Sequence, residues 1–305
     1  MEKTARPLLA DRRRMSMRQR EALMGYLFIA PALVGLTVFF VLPTLRAAQI
    51  SLTDWNLLRA PRFVALSNYE KLWGDETFWE SLRLTLLYVV YNIPVQTALA
   101  LFIAVLADRL ARQVWVRAVM IGPYLISNVV AALVWLLMLD PLIGMTNVFL
   151  EAIGVAKQSF LASPDSALIS VAGINIWRHV GFTALLFYAG LQAIPRDLYE
   201  AARLDGAREW QMFRTITLPL LRPVMVFVLV TSVIGSFQIF DTIALTTSGG
   251  PAGSTKVVMF YIYETAFKFS KMGLASAMSM VLFVILIAVT LVQMRVMRAG
   301  QSDLG

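Results

Sequence analysis

Residues Leu84 to Ala107 have the sequence LTLLYVVYNIPVQTALALFIAVLA, a run of 24 residues without a charged side chain. A helix rises about 1.5 Å per residue, so roughly 20 apolar residues are enough to cross the hydrocarbon layer of a bilayer. Five more stretches are long and apolar enough, and only the fourth of the six contains charged side chains. The predicted spans are 25–45, 84–107, 118–139, 168–194, 223–240 and 272–294.

These spans are predicted to be helices, because backbone amides cannot remain unpaired in lipid. Pro31, Pro94 and Pro123 lie inside three of them and are predicted to be tolerated as kinks. The predicted fold class is all-α, a polytopic membrane helical bundle with six transmembrane helices. The sequence has no convincing internal repeat, which argues against secondary transporters that are built from two inverted halves.

The composition of the chain agrees with a membrane protein. Hydrophobic residues make up 58% of the 305 residues and charged residues 15%, whereas soluble domains are about 25% charged. Cysteine is absent and His179 is the single histidine, so disulfides, thiolate catalysis and zinc clusters are excluded and no metal site is predicted. The net charge of +8 is attributed to basic residues near lipid headgroups rather than to nucleic-acid binding. The predicted environment is the lipid bilayer, with no nucleic-acid partner.

Lysine and arginine fall unevenly on the two sides of the predicted membrane. Seventeen lie in the N-terminal tail, the connection between spans two and three, the loop between spans four and five, and the C-terminus, against eight in the opposite connections. Basic residues favour the cytoplasm, so both termini are predicted to be cytoplasmic. The predicted parts are a basic cytoplasmic tail at 1–21, a six-span domain at 22–298 and a C-terminal tail at 299–305.

A long polar loop, residues 195–222, separates the fourth and fifth spans. Pro195 ends the fourth span, Asp197 is predicted to cap a new helix, and Glu200 is predicted to reach back to the cap as in a capping box. Gly206, directly after Asp205, suits a left-handed helix end. The sequence therefore predicts two short helices that are joined by a glycine turn.

In the second of these helices one face is predicted to be apolar. Ala207, Trp210 and Phe213 recur every three residues and so share that face. One interpretation is an amphipathic helix that lies at the lipid interface, with Trp210 among the headgroups. That interpretation does not require Gly206 or the two alanines that follow Glu200.

The loop also resembles the cytoplasmic coupling loop of bacterial ABC importer permeases. In that family the pattern is Glu-Ala-Ala, three residues, Gly, nine residues, Ile, one residue, Leu-Pro, and this chain matches every fixed position. The resemblance implies that the loop docks into an ATPase subunit and couples its movement to the transmembrane bundle. The coupling residues implied are Glu200, Ala201, Ala202, Arg203, Asp205, Gly206, Ile216, Leu218 and Pro219.

Further segments are similar to carbohydrate-importing permeases of the maltose-type group, so that the resemblance covers nearly the whole chain. They are Asn68-Tyr69, Gly190-Leu191-Gln192, Phe240-Asp241, Gly249-Gly250-Pro251 and Tyr261-Ile262-Tyr263. The resemblance implies a permease subunit of the bacterial cytoplasmic (inner) membrane that imports a sugar or sugar-like solute. The partners implied are a second homologous permease, two copies of an ABC ATPase and an extracytoplasmic solute-binding protein. ATP and Mg are expected in the ATPase, and no cofactor or enzymatic activity is expected in this chain.

The segment Gly249 to Lys256 superficially resembles a phosphate-binding loop. Its lysine follows the hydroxyl residues instead of preceding them, and no strand comes before it, so it is predicted to be an external loop.

Polar side chains inside the spans are the candidates for a solute path, because burying them in hydrocarbon without a partner is costly. The polar candidates are Asn92, Gln96, Asn128, Asn175, Arg178, Gln238 and Asp241. Three aromatic rings are candidates for stacking on a sugar: Tyr91, Trp135 and Trp177. Helix packing remains the alternative explanation for each of them.

Arg178 and His179 admit more than one prediction. If the fourth span begins at Leu168, Arg178 lies deep in the membrane and faces a wet cavity or a carboxylate. If it begins near Gly173, Arg178 extends toward the interface or pairs structurally. His179 is predicted to be a hydrogen-bonded interface residue rather than a proton relay.

Two alternative functions stay open at the level of sequence. A permease of the same architecture for glycerol-3-phosphate or a related polyol phosphate would need basic residues at its cavity, and only Arg178 lies in a span. An ion-driven secondary carrier would need intramembrane carboxylates, and only Asp241, at a span end, qualifies. A membrane scaffold would leave the coupling pattern unexplained.

Overall fold

The computed structural model describes residues 16–110 and 114–297, and the chain divides into two units, residues 1–49 and 50–305. The first unit consists of helix α1 (Met17–Leu36), a π-helical turn (Thr37–Val41) and most of helix α2 (Leu42–Ser51). Large apolar side chains such as Phe28, 85% exposed, cover this helical segment. Residues 17–21 of the predicted basic tail belong to α1, while residues 1–15 and the predicted C-terminal tail lie outside the described residues.

The second unit is built from helices and one very short pair of strands. Strands β1 (Thr53–Asp54) and β2 (Arg62–Phe63) are antiparallel, so the predicted all-α class holds except for this hairpin. The helices are α3 (Ser67–Trp73), α4 (Glu76–Leu110), α5 (Val114–Leu125), α6 (Asn128–Met138), α7 (Met145–Ala152), α8 (Pro164–Gln192), α9 (Arg196–Leu204), α10 (Glu209–Met212), α11 (Leu218–Leu220), α12 (Arg222–Phe237), α13 (Asp241–Thr246), α14 (Val258–Tyr263) and α15 (Met272–Val296).

Three shorter helical turns complete the unit. Two are π-helical, Phe213–Thr217 and Glu264–Lys268, and one is a 3-10 turn, Phe160–Ala162. Pro31, Pro94 and Pro123 all lie inside helices, as the sequence predicted.

By length and hydropathy, four helical segments of the described residues can cross a membrane: 20–51, 76–108, 222–246 and 272–296. The pair α5 and α6 adds a fifth if it forms one span, but the two helices meet at 87°. The predicted span at 118–139 is therefore a bent pair of helices in the structure, and not one straight helix. Ser127 leaves the helical conformation (φ −55°, ψ 143°). The side chain of Arg178 donates hydrogen bonds to the carbonyls of Tyr124 and Ile126, which precede the break.

Helices α4 and α8 pack along each other through small side chains. Ala100 and Ala104 of α4 and Ala184 of α8 are fully buried beside Phe187 and Val228. Small residues allow helix backbones to approach closely when lipid supplies no hydrophobic driving force. At Gly181 a side chain would meet the carbonyl oxygen of Met120, so α5 crosses α8 in direct backbone contact.

The opposite end of α4 is fixed by polar contacts from the connecting segments. Asn68 is buried and donates to the carbonyls of Ser51 (2.8 Å) and Thr53 (2.9 Å). Thr85 accepts a hydrogen bond from the amide of Val258 (2.9 Å) at the start of α14. Tyr261 of α14 donates to Asp75 (2.7 Å), the residue before α4, so α14 is joined both to Thr85 of α4 and to the residue that precedes this helix.

Candidate functional site

The two regions of interest are the loop 195–222, here called the coupling loop, and a polar cavity between α4, α6, α8 and α12. The coupling loop begins with α9, whose N-cap is Pro195 (φ −59°, ψ 131°) and which has no side-chain capping bond. The predicted capping role of Asp197 is therefore wrong. The fixed φ of proline lets the helix start at Arg196, so that Asp197 lies in the first turn, where its charge complements the helix dipole.

Helix α9 ends in a Schellman motif. The amide of Ala207 donates to the carbonyl of Ala202 (2.9 Å), and the amide of Gly206 donates to that of Arg203 (3.0 Å). Gly206 has φ +81°, a conformation that costs glycine little. The predicted left-handed helix end at Gly206 is confirmed.

The outer surface of the coupling loop carries apolar side chains among charged ones. Leu204 is 90% exposed and Trp210 is 66% exposed. Trp210 stacks on Phe213 with ring centroids 5.5 Å apart, so these two rings share a face as predicted. Ala201 is exposed and Ala202 is half-buried. The outer surface of the loop therefore exposes apolar side chains instead of burying them.

The inner surface of the loop borders a polar pocket of about 410 Å³ at the ends of α4 and α8. Glu200 and Arg203 line it, and Arg203 pairs with Glu209 across the glycine turn at 3.5 Å. Tyr199 and Thr217 share a hydrogen bond of 2.9 Å, which ties α9 to the returning chain. Of the remaining predicted coupling residues, Asp205 and Pro219 are exposed, and Ile216 and Leu218 are half-buried.

The cavity between the helices has a volume of about 380 Å³. Six of the predicted path residues line it: Asn92, Gln96, Asn128, Asn175, Gln238 and Asp241. The structure thus brings together side chains from four helices, α4, α6, α8 and α13, and from the end of α12. Most of their polar groups are amides, which can both donate and accept hydrogen bonds.

Hydrogen bonds connect these side chains across the helices. Asn92 lies at the centre: it accepts from Asn175 of α8 and donates to Ser236 of α12, both at 3.0 Å. Gln96 donates to Thr183 at 3.0 Å. Its Oε1 atom is buried and has no hydrogen-bond partner among the residues described.

One further hydrogen bond beside the cavity joins α6 to α13. Asn128 donates to the Oδ2 atom of Asp241 at 3.1 Å. Asp241 is the one charged side chain among the described residues that line the cavity.

The predicted stacking rings lie elsewhere. Trp135 and Trp177 meet edge to face at 5.4 Å and pack α6 against α8, and neither they nor Tyr91 line the cavity. Tyr124 and Phe182 line it instead, stacked with centroids 4.4 Å apart. The sequence contains a signal for Phe182, because positions 179, 182, 183 and 186 follow Asn175 at helical spacing on one face.

Arg178 lies at the middle of α8, because this helix begins at Pro164, before either start considered from sequence. Its Nε donates to the carbonyl of Ile126 (3.0 Å) and its Nη2 to that of Tyr124 (3.2 Å). Its guanidinium also lies over the Tyr124 ring at 5.3 Å. Arg178 does not line the cavity; it is paired structurally with the end of α5.

His179 is held by two hydrogen bonds. Its Nδ1 lies 3.0 Å from the carbonyl of Asn175 and its Nε2 lies 2.9 Å from Nη1 of Arg178. Because arginine only donates, Nε2 accepts and Nδ1 carries the proton, so the ring is neutral. The geometry matches the predicted hydrogen-bonded interface residue.

The segment Gly249 to Lys256 is a packed connection between α13 and α14. Thr255 is fully buried and donates to the carbonyl of Gly250 (2.7 Å). Lys256 and Lys268 both pair with Glu264 at 3.0 Å. Burial raises the pKa of Glu264, but the hydrogen bonds and charges of the two lysines outweigh it and bring the pKa below its ordinary value.

The fold and these two sites define the class of protein: a helical membrane protein with a polar cavity between its helices and a two-helix loop at one end of them, as in transport subunits. Residues 78–299 match the family described as binding-protein-dependent transport system inner membrane component. The chain belongs to this family. It is a multi-pass transport subunit of the inner membrane and not itself an enzyme.

Relatives agree with the family and cover nearly the whole chain. The trehalose/maltose transport system permease protein MalF of Thermococcus litoralis is 35% identical over 284 residues, which is 92% of this chain and 96% of the relative. The sn-glycerol-3-phosphate transport system permease protein UgpA of Agrobacterium fabrum is 35% identical over 278 residues, 90% of this chain and 94% of the relative. The lactose permease protein LacF of Rhizobium radiobacter is 33% identical, with 86% and 89% covered.

A solved structure shares the fold. A chain of a bacterial ABC transporter involved in the import of the acidic polysaccharide alginate superposes with a TM-score of 0.80 at 22% identity. The match covers 93% of this chain and 98% of that chain. The resemblance to bacterial ABC importer permeases drawn from the sequence is confirmed.

Proposed function

We propose that the chain is a six-span permease subunit, with both termini in the cytoplasm, of an ATP-driven ABC importer for a sugar or sugar-like solute. An extracytoplasmic binding protein delivers the solute, and the solute crosses the membrane unmodified. The observation that carries the proposal is the cavity, whose wall is made largely of amide and hydroxyl groups. Such groups hydrogen-bond the hydroxyls of a neutral sugar in either direction.

Six spans follow if α8 and the bent pair α5–α6 each cross the membrane. Helix α8 has 29 residues, enough for a length of about 43 Å at 1.5 Å per residue. Asn175, Arg178 and His179 lower its hydropathy at the middle, which is where the cavity needs polar groups. The excess of basic residues on the side of the coupling loop supports a cytoplasmic position for both termini.

The aromatic rings on the cavity wall suit a sugar as well. Tyr124 and Phe182 are stacked on each other and border the cavity beside the amide groups. A sugar ring presents apolar C–H faces and polar hydroxyl edges, so it fits between an aromatic surface and a row of amides.

A polyol phosphate remains the second candidate, because UgpA of Agrobacterium fabrum is as similar as MalF of Thermococcus litoralis. The charge of the cavity argues against it. Asp241 is an acid, no lysine or arginine lines the cavity within the described part of the chain, and the ring of His179, which does line it, is neutral. The guanidinium of Arg178 donates to backbone carbonyls and to His179 instead. The cavity therefore favours a neutral solute over a phosphate.

The coupling loop supports the remaining partners. Its rigid glycine turn and the exposed side chains Leu204 and Trp210 suit a cleft in an ATPase subunit. The proposed assembly has two copies of that ATPase, which bind ATP and Mg, and a second homologous permease. Coupling requires that the ATPase bind the loop differently in its two nucleotide states.

The first experiment is gentle purification of the tagged chain from its native membrane, followed by mass spectrometry of the proteins that accompany it. We expect an ATPase and a second six-span permease. Recovery of the chain alone, in a detergent shown to preserve such complexes, would contradict the proposed assembly. Uptake by the reconstituted assembly with its binding protein then separates the solutes: neutral disaccharides are expected to be transported, and glycerol-3-phosphate is not.

A further inference from the structure

The break between α5 and α6 leaves backbone carbonyls without their helical donors. In a straight helix the carbonyls of Tyr124 and Ile126 would accept from amides four residues further along. The break at Ser127 separates them from those amides. A carbonyl without a donor is costly inside a membrane, so a bend of 87° at this place needs another source of hydrogen bonds.

Arg178 supplies the missing donors from the middle of α8. One guanidinium donates to both carbonyls, at 3.0 Å for Ile126 and 3.2 Å for Tyr124. Its remaining Nη1 donates to His179, which is held in turn by the carbonyl of Asn175. The planar fork of arginine, with five N–H groups, is suited to bridge acceptors in this way, whereas an ammonium is a single point charge.

The bend also shapes the cavity. Tyr124 precedes the break and Asn128 follows it, and both side chains line the cavity. Arg178 itself does not. Straightening the pair α5–α6 would carry at least one of these two side chains away from the wall.

We propose that Arg178 is a positioning residue, which holds the break between α5 and α6 and thereby keeps Tyr124 and Asn128 on the wall of the cavity. It does not bind the solute. The consequence for transport rests on the proposed solute path, but the effect on the bend does not, so the two can be tested separately.

The bend is measured as a distance between two spin labels. The chain contains no cysteine, so cysteines introduced at Val119 of α5 and Leu137 of α6, 66% and 67% exposed, are its only labelling sites. The same assembly without them gives the background signal from labelled partner subunits. At a rise of 1.5 Å per residue, the two backbones would be about 27 Å apart in a straight helix and about 19 Å apart across a right-angled bend. Electron–electron double resonance is measured on the nucleotide-free assembly, purified from native membrane and placed in lipid nanodiscs.

We expect Arg178→Met to lengthen or broaden the distance distribution toward the straight-helix value and to lower solute transport. Arg178→Lys keeps the charge and can be measured even if the methionine variant does not accumulate in the membrane. We expect its distance distribution to lie between those of the wild type and Arg178→Met. Arg117→Met is the matched control: it removes an arginine of α5 whose guanidinium lies over Tyr188 at 4.9 Å, away from the break. The control is expected to keep the short distance.

Two results would overturn the proposal. An unchanged distance in both Arg178 variants would show that the bend does not depend on this side chain. An unchanged distance together with a higher solute concentration for half-maximal transport would show that Arg178 is a solute ligand instead. A changed distance with normal transport would support the role of Arg178 in holding the bend, but it would contradict the proposed solute path.

Discussion

Gly206 is the residue whose backbone conformation shapes the coupling loop. Its φ of +81° is disfavoured for residues with a side chain, yet no atom lies within 4 Å of where a Cβ would be. Substitution there therefore tests backbone conformation without a steric clash. A left-handed conformation costs a residue with a Cβ roughly 1–2 kcal/mol.

We predict that Gly206→Val strongly lowers solute-stimulated ATP hydrolysis in the reconstituted assembly while the chain still inserts. A β-branched residue is a poor fit to positive φ, so α9 and α10 change their relative direction. Gly206→Asn is the control, because asparagine tolerates this conformation and is expected to keep most of the activity. Equal activity of the two variants would contradict the role of the glycine turn.

Six of the residues that line the cavity were predicted from their residue type, as polar side chains inside apolar spans. An amide inside an apolar span must find a partner, so Asn92, Gln96 and Asn175 converge on the polar interior. Aromatic rings give no such indication, since an aromatic ring can also pack in an apolar cluster, as Trp135 does, or against another ring, as Trp177 does. The rings that line the cavity are those of Tyr124 and Phe182, which were not predicted from the sequence.

At the level of elements, the apolar stretches predicted the helices well but not the break in the third span. The stretch around the break is apolar apart from Ser127 and Asn128, and hydropathy contains no information about the direction of a helix. The break is stabilised by Arg178, a residue 52 positions further along the chain. Contacts of that kind depend on tertiary structure and cannot be seen in a local pattern. The capping of α9 was missed for a smaller reason, because Pro195 starts the helix before Asp197.

The crossing of α5 over α8 yields a second prediction. At Gly181 a Cβ would meet the carbonyl oxygen and carbon of Met120, so Gly181→Ala forces the helices apart. Overpacking of this kind costs roughly 1–3 kcal/mol, and we expect a lower thermal unfolding midpoint of the purified assembly. Gly173→Ala is the matched control in the same helix, where nothing lies within 4 Å. It should not lower the midpoint, and a similar loss in both variants would contradict close packing at Gly181.

The ion cluster around Glu264 gives a third prediction, which concerns pH. The two lysines hold the pKa of Glu264 below its ordinary value despite its burial, so the folded carboxylate stabilises the protein above the unfolded pKa of about 4.3. This contribution is lost as the pH falls through the lower, folded pKa. We expect the connection between α13 and α15 to become more sensitive to proteolysis on acidification, and Glu264→Gln to be sensitive already at pH 7.

The control for this prediction is Glu80→Gln. Glu80 pairs with Arg83 at 3.0 Å, but both side chains are more than half exposed, and exposed pairs contribute little to stability. Glu80→Gln should therefore leave the pH dependence of proteolysis unchanged. If the connection between α13 and α15 in the wild type is equally sensitive to proteolysis at pH 7 and pH 3, the charge of Glu264 does not stabilise it.

In the whole molecule, α8 links the cavity to the coupling loop. Asn175, His179 and Thr183 line the cavity from its middle, and its last residue, Gln192, donates to Asp108 beside the inner pocket. Pro195 then begins α9 three residues later. One continuous helix, α8, therefore joins the cavity wall to the start of the coupling loop.

Because the cavity and the coupling loop lie at different places along α8, a substitution can impair solute binding without impairing coupling. A substitution of Gln96 tests solute binding at the cavity. Its Nε2 donates to Thr183, while its buried Oε1 is unpaired in the part of the chain that the structure describes and borders the cavity. We predict that Gln96→Leu, which keeps the size of the side chain, raises the solute concentration for half-maximal transport by about tenfold, the equivalent of ~1.4 kcal/mol. ATP hydrolysis without solute should stay at its normal rate, because the coupling loop is untouched.

The matched control is Gln293→Leu in α15. The Oε1 atom of Gln293 is also buried without a hydrogen-bond partner in the described residues, but this side chain does not border the cavity. If both variants raise the half-maximal concentration equally, loss of a buried amide is damaging wherever it occurs, and the cavity is not the solute path. If only Gln96→Leu does so, the unpaired oxygen of Gln96 accepts a hydrogen bond from the solute, and recognition takes place where Gln96 of α4 meets Thr183 of α8, the helix that leads to the coupling loop.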